Sequence, residues 1–180
     1  LGAGSLRLGG DGNFTLTHAA NAVGTLAKDG TGSVSLTHAG ALTVGSVDGV
    51  NGVSGSTVDL RTGAGDLTLD QAVTATGTGN AVVLATPANF INNAGANAVL
   101  TPSGRWLIYS NAPAGNTFGG LASGEHALWN RTVASAAPAS LSETGNRYLF
   151  AAQPSLSATA TLTDSKPYGD AYIFPTPEAG

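Results

Sequence analysis

Few side chains in these 180 residues have a type and spacing suited to chemistry. His18 and His38 stand in matching Thr-His-Ala contexts, and stacked imidazoles could in principle hold a metal. No carboxylate lies near either one, so the expectation is an outward ladder at strand ends. Acid–base work on glycans needs several Asp, or Asp with Arg or Lys, on one face, and the candidates are Asp59 with Arg61 and Asp66 with Asp70. Asp66 precedes Leu67-Thr-Leu69 and Asp70 follows it, and four residues of extended chain span about 13 Å. That is too far for a retaining carboxylate pair and long for an inverting one, so these read as solvated turn or edge charges. Gly9-Gly-Asp-Gly-Asn-Phe14 hints at a Gly-rich calcium repeat, but Phe14 stands where the required carboxylate belongs, and the pattern does not recur. His126 beside Glu125 has no nucleophile, because Gly-x-Ser-x-Gly is absent, and no Gly-x-Gly doublet extends to Gly-x-Gly-x-x-Gly. Asn13 and Asn130 open Asn-x-Thr patterns that an Asn- and Thr-rich chain produces by chance. The expectation is a non-enzyme with no catalytic or metal site and no cofactor.

The elements that would position these residues are short strands in a repeat. Asn13-Phe-Thr-Leu-Thr-His-Ala19 recurs as Ser33-Val-Ser-Leu-Thr-His-Ala39, and Val23-Gly-Thr-Leu26 as Val44-Gly-Ser-Val47. Asp-Gly turns at Asp11, Asp29 and Asp48 share the same period of about 20 residues. Leu6/Leu8, Phe14/Leu16, Val34/Leu36, Val58/Leu60, Leu67/Leu69 and Val82/Leu84 alternate apolar with polar, which puts one face of each strand inward. A sandwich or barrel could give such strands. Near-identity of units at one coil's length favours an all-β, right-handed parallel β-helix, the hand following the usual crossover preference. Phe14 would then lie under Val34, Leu16 under Leu36, and His18 beside His38.

Composition narrows the function. Gly, Ala, Thr, Ser and Asn supply more than half the chain, the net charge is −4, and there is no Cys. Without a basic excess, nucleic-acid binding is excluded as an expectation, and no apolar run is long enough for membrane insertion. Absence of Cys removes disulfides and thiolate sites. The chain opens at Leu1 and reads as a piece of something longer.

Three stretches follow from the texture: β-helix repeats over 1–110, a closing segment with loops over 111–150, and a strand with the start of a Gly-rich, mostly-β module over 151–180. Arg105–Tyr109 reads as a strand covered on both faces, Ala134–Ser142 as an Ala/Ser/Pro-rich connector, and Arg147–Phe150 and Leu156–Leu162 as further strands. Asn89, Asn92, Asn93 and Asn97 are expected to contribute to an amide ladder. Trp106, Tyr109, Phe118 and Trp129 admit two readings: a platform on which glycans stack, or a cap over the last coil's core and edges. The cap is preferred, with Trp106, Tyr109 and Trp129 kept as candidate glycan or partner contacts.

Gly104-Arg-Trp-Leu-Ile-Tyr-Ser110, Phe118-Gly-Gly-Leu121, Leu128-Trp-Asn130 and Gly145-Asn-Arg-Tyr-Leu-Phe150 together resemble the stretch that closes the β-helix in filamentous-haemagglutinin-like exoproteins of the two-partner secretion type. Lys166-Pro-Tyr-Gly-Asp170 resembles the opening of the Gly-rich modules that follow in such proteins. The residues carrying the likeness are Arg105, Trp106, Tyr109, Asn146, Arg147, Tyr148, Tyr168, Gly169 and Asp170. The resemblance implies a secreted, surface-displayed bacterial adhesin, a stiff shaft used in adhesion or biofilm matrix. Its implied partners are neighbouring modules of the same polypeptide, an outer-membrane transporter, and a host or matrix glycan or protein. Two alternatives remain: a filament subunit self-associating end to end through open strand edges, and a polysaccharide-processing enzyme.

Overall fold

The computed structural model of the chain describes residues 1–124 and 126–154. Short strands wind into an all-β parallel solenoid of about six turns, roughly 24 residues apart. Among the described residues, the one helical element is a 3-10 turn at Pro138–Ser140. The expected Leu156–Leu162 strand and the Tyr168, Gly169 and Asp170 motif lie outside the described residues.

One wall is a seven-stranded sheet that contains Phe14–Leu16, Val34–His38, Val58–Thr62, Gly79–Ala85 and Gly104–Ser110 in successive coils, then Arg147–Phe150 and Ala127–Trp129. Its parallel register builds columns. Phe14, Val34, Val58, Val82 and Trp106 form one, and Leu16, Leu36, Leu60, Leu84, Ile108 and Tyr148 the next. The Phe14/Val34 and Leu16/Leu36 stacking expected from the repeat is present. These side chains point inward because apolar residues alternate with polar ones, and Val34, Leu36, Val58 and Leu60 are at most 1% exposed.

The other walls belong to an eight-stranded sheet that forks. Gly2–Leu8 pairs with Ala22–Lys28, whose Thr25 and Leu26 then pair with Thr43 and Val44 while Lys28 pairs with Val53. One long side thus becomes two short sides in later coils, and the extra corner lengthens the repeat from 20 residues at Phe14/Val34 to 24 at Val34/Val58. A period of 20 therefore holds only at the start. The Val23/Val44 recurrence is not a register, because Val44 lies beside Leu26. Asp48 is not a coil turn either. With Gly49 it forms the tip of an antiparallel hairpin, Ser46–Val47 with Val50–Asn51, where both tip residues have positive φ (48° and 80°) as a tight hairpin turn requires.

At the fork Lys28 is 1% exposed. Its ammonium donates to the carbonyls of Ser54 (2.8 Å), Gly30 (3.3 Å) and Asp29 (3.4 Å) and lies 5.9 Å from the Phe14 ring centroid. Burial holds its pKa below the ordinary lysine value, against the pull of Asp29 and Asp11.

Coil loops are pinned to one another by short polar side chains. Asp11 accepts from the Thr31 N–H (2.8 Å) and hydroxyl (2.9 Å), and Asn13 accepts from the Ser33 N–H (2.8 Å) and hydroxyl (3.0 Å). The Thr31 bonds hold the Asp11 pKa below the usual carboxylate range. Gly104 is required by close approach, since a Cβ there would come within 2.6 Å of the Gly77 carbonyl oxygen.

Replacing Leu60 by Ala opens a void in the middle of a column and is expected to cost about 2–5 kcal/mol in denaturant unfolding, whereas Ser35→Ala on the outward face stays within about 0.5 kcal/mol.

Candidate functional site

The outward face of the seven-stranded sheet changes character along the axis. Its columns run Ser35, Asp59, Val83, Leu107, Arg147 and Thr37, Arg61, Ala85, Tyr109, Leu149. Polar residues front the early coils and, Arg147 apart, apolar ones front the late coils. Val83, Ala85, Leu107, Tyr109 and Leu149 are buried there and pack against Leu128, the register partner of Leu149 in the end strand, and against Val133 and Leu141. The segment 130–146, which carries Val133 and Leu141, crosses the outside of the sheet as a strap.

Five side chains secure the strap or the strand that follows it. The Tyr109 hydroxyl donates to the Ala136 carbonyl (2.8 Å), and Asn80 Nδ2 donates to the Pro138 carbonyl (2.8 Å). Arg105 donates through Nε to Asn80 Oδ1 (2.6 Å) and through its terminal nitrogens to the carbonyls of Glu143 and Leu141. Asn146 Oδ1 accepts from the Trp106 N–H (2.9 Å). On the inner side the Tyr148 hydroxyl donates to the Leu121 carbonyl (2.8 Å). Burial pushes the Tyr109 pKa up to about 12, although Arg105 and Arg61 act to lower it, and burial also raises that of Tyr148.

The structure brings most of the candidate aromatics into one interior cluster. The Tyr148 ring stands edge-on to Trp106 (4.9 Å) and Phe118 (4.8 Å), and Trp129 tilts against Phe150 (5.1 Å). Trp106 is 1% exposed and Tyr109 3%, so protein covers the ring faces a sugar would stack on, while Trp129 is half-buried. Arg147 lies in register with Leu107, its Nε buried and without a hydrogen-bond partner.

The remaining candidates are dispersed into structural contacts. His18 and His38 each turn back to accept an N–H two residues on, from Ala20 (3.2 Å) and Gly40 (2.9 Å). His18 is exposed, but His38 is buried over Thr62, so no outward histidine ladder forms. No group of three or more His, Cys, Asp or Glu gathers among the described residues. Asp66 accepts from the Asn89 N–H (3.0 Å) and Nδ2 (3.1 Å), and Asp70 from Asn93 Nδ2 (2.8 Å). These two carboxylates clamp the next coil. Asn92 is the buried corner amide, and its Nδ2 donates to the carbonyls of Gly95 (2.9 Å) and Phe118 (2.8 Å) while its Oδ1 accepts the N–H groups of Ala94 and Gly95. It is satisfied by backbone, so the expected amide ladder is absent at this corner. Asn97 is exposed, as is His126, and Glu125 lies outside the described residues.

Sequence reasoning missed the site that the strap creates. Where the strap leaves the sheet, a cleft of about 770 Å³ opens between Arg61, Ala85 and Tyr109 on the sheet and Arg131 and Val133 on the strap, with Asn111 at its side. Asp59 holds the Arg61 guanidinium through Nε (2.7 Å) and Nη2 (2.6 Å), raising the Arg61 pKa and fixing its orientation. The signal available beforehand was the unbroken apolar run Ala81–Ala85 stacked under Trp106–Tyr109, which demands an outer cover.

An unfolded tyrosine ionises near pH 10, so between about pH 10 and 12 the unfolded chain releases protons that buried Tyr109 and Tyr148 retain. Their contribution is complete below pH 10 and falls as pH rises through that window, with Lys28 acting in the opposite sense. Chemical denaturation midpoints are expected to drop across the window in the native chain. In a Tyr109→Phe/Tyr148→Phe variant the drop is shallower, although the loss of two hydroxyl bonds lowers stability at neutral pH by about 1–3 kcal/mol.

Comparison with protein-family models, with curated proteins and with solved structures gives no match for this chain, so the fold and the cleft stand on the geometry alone.

Proposed function

We propose that this chain is a non-enzymatic shaft segment of a large secreted, surface-displayed bacterial exoprotein of the filamentous-haemagglutinin-like type, working in adhesion or biofilm matrix. The observation that carries the reading is the unbroken set of side-chain columns through successive parallel coils. Such stacking converts a short repeat into a stiff element that can hold a binding region away from a cell, and it needs no disulfide. The residues behind the resemblance support it: Arg105, Tyr109 and Asn146 tie the strap and the strand after it to the late coils, and Trp106 and Tyr148 fill the core beneath. Of the charged pairs an enzyme could use, Asp59 and Arg61 bond to each other, and Asp66 and Asp70 each accept from an asparagine of the next coil.

Display of the full chain on a non-adherent bacterium is expected to raise attachment to glycan- or matrix-coated surfaces several-fold over cells displaying an unrelated β protein. Equal attachment would remove the adhesive reading. Reducing-end and unsaturated-product assays on acidic polysaccharides are expected to stay at background, and product formation that Asp59→Asn or Asp66→Asn abolishes would establish an enzyme instead.

One observation favours end-to-end assembly as a second reading. Leu6, Phe14 and Leu16 in the first coil are half-buried, whereas Leu26, Val34 and Leu36, their register partners one coil on, are at most 1% exposed. Among the described residues strand Gly2–Leu8 pairs on one side only, an edge that a second copy could extend. Light scattering that reports only monomer across a wide concentration range would count against it.

A further inference from the structure

We propose that the cleft beneath the strap binds an acidic saccharide, one whose sugar ring carries a carboxylate. Its size falls within the range of small-ligand sites, about 300–1,000 Å³. Its lining supplies two arginines and no Asp or Glu. The chain as a whole carries a net charge of −4 and has only seven lysines and arginines, so two cations converging on one concavity make a local positive site on an acidic molecule.

The two arginines play different parts. Arg61 is locked by Asp59 through Nε and Nη2, which leaves Nη1 as a pre-oriented donor with little entropy to lose. Arg131 is exposed, and among the described residues its guanidinium makes one hydrogen bond, from Nη1 to the neighbouring Asn130 carbonyl (3.2 Å), so its remaining donors can turn toward a ligand. Counting Asp59, the cluster still holds one surplus positive charge, which matches one carboxylate. Apolar area dominates the remaining wall, where Ala85 and Val133 present the kind of surface that the C–H face of a pyranose covers. Asn111 exposes its side-chain amide beside them for ring hydroxyls. A flat aromatic ligand would lack partners for that amide, and a neutral sugar would leave the surplus charge of Arg131 without a counter-charge.

This inference rests on the adhesive reading for its biological role and adds a ligand class to it. Binding to the purified full chain succeeds or fails separately from attachment of cells, so the two can be told apart. Titration with trigalacturonate, followed by NMR or calorimetry, is expected to saturate, to weaken as salt is raised, and to be at least about tenfold tighter than titration with maltotriose. Arg131→Ala, at an exposed position, is expected to keep the thermal midpoint and weaken trigalacturonate binding about tenfold, with Arg131→Gln as the second variant. Arg7→Ala, in the first coil, leaves the affinity unchanged. Equal affinity for the neutral sugar, no saturation up to about 10 mM, or full affinity in both Arg131 variants would overturn the proposal. A sulfated trisaccharide that binds more tightly than trigalacturonate would overturn the assignment to a carboxylate.

Discussion

Each coil of a parallel solenoid lies about 4.8 Å above the previous one, so every inward side chain packs against the residue holding the same place below. A column is therefore a single packing problem extended along the axis. Leu36, Leu60, Leu84 and Ile108 meet it with branched aliphatics of nearly equal volume, and each is fully buried. The column reaches an aromatic at Tyr148, with Ala127 of the end strand beyond it, and the neighbouring column reaches Trp106. Larger rings fill the space that a further aliphatic layer would occupy, and their edge-on contacts join the columns to Phe118 and Phe150.

The same geometry explains the scarcity of charge. A polar group at a coil corner faces its counterpart above and below, and like charges there would repel along the stack. Short neutral or singly charged groups that reach backbone donors avoid this. Asp11, Asn13 and Asp66 each accept two hydrogen bonds from the following coil, and Asn92 satisfies its amide on four backbone groups. Lys28, the one fully buried cation among the described residues, finds three carbonyls at the point where the sheet forks.

The strap gives the late coils a second, outer core. Covering Leu107, Tyr109 and Leu149 stabilises one half of the sheet while the early half keeps a polar outer face, and the boundary between the halves is where Arg61 and Arg131 come together. The cleft is thus a consequence of the cover ending. A uniform repeat would have no such discontinuity, which links the long excursion after Ser110 to a concavity lined by two cations.

Strand identity, parallel stacking and the first register were legible in the residues themselves, because period-two alternation and near-identical units at Phe14–His18 and Val34–His38 are local or short-range signals. The fork at Lys28, the lengthened repeat and the hairpin at Asp48 were not, since an Asp-Gly pair serves a coil corner and a hairpin tip equally well. Nor could spacing reveal that the strap would return over Ala85 and Tyr109 and bring Arg131 to Arg61, residues 70 positions apart. Alternation settles which way a side chain points within its own strand. What lies across from it depends on where a long excursion comes back, and only the folded chain decides that.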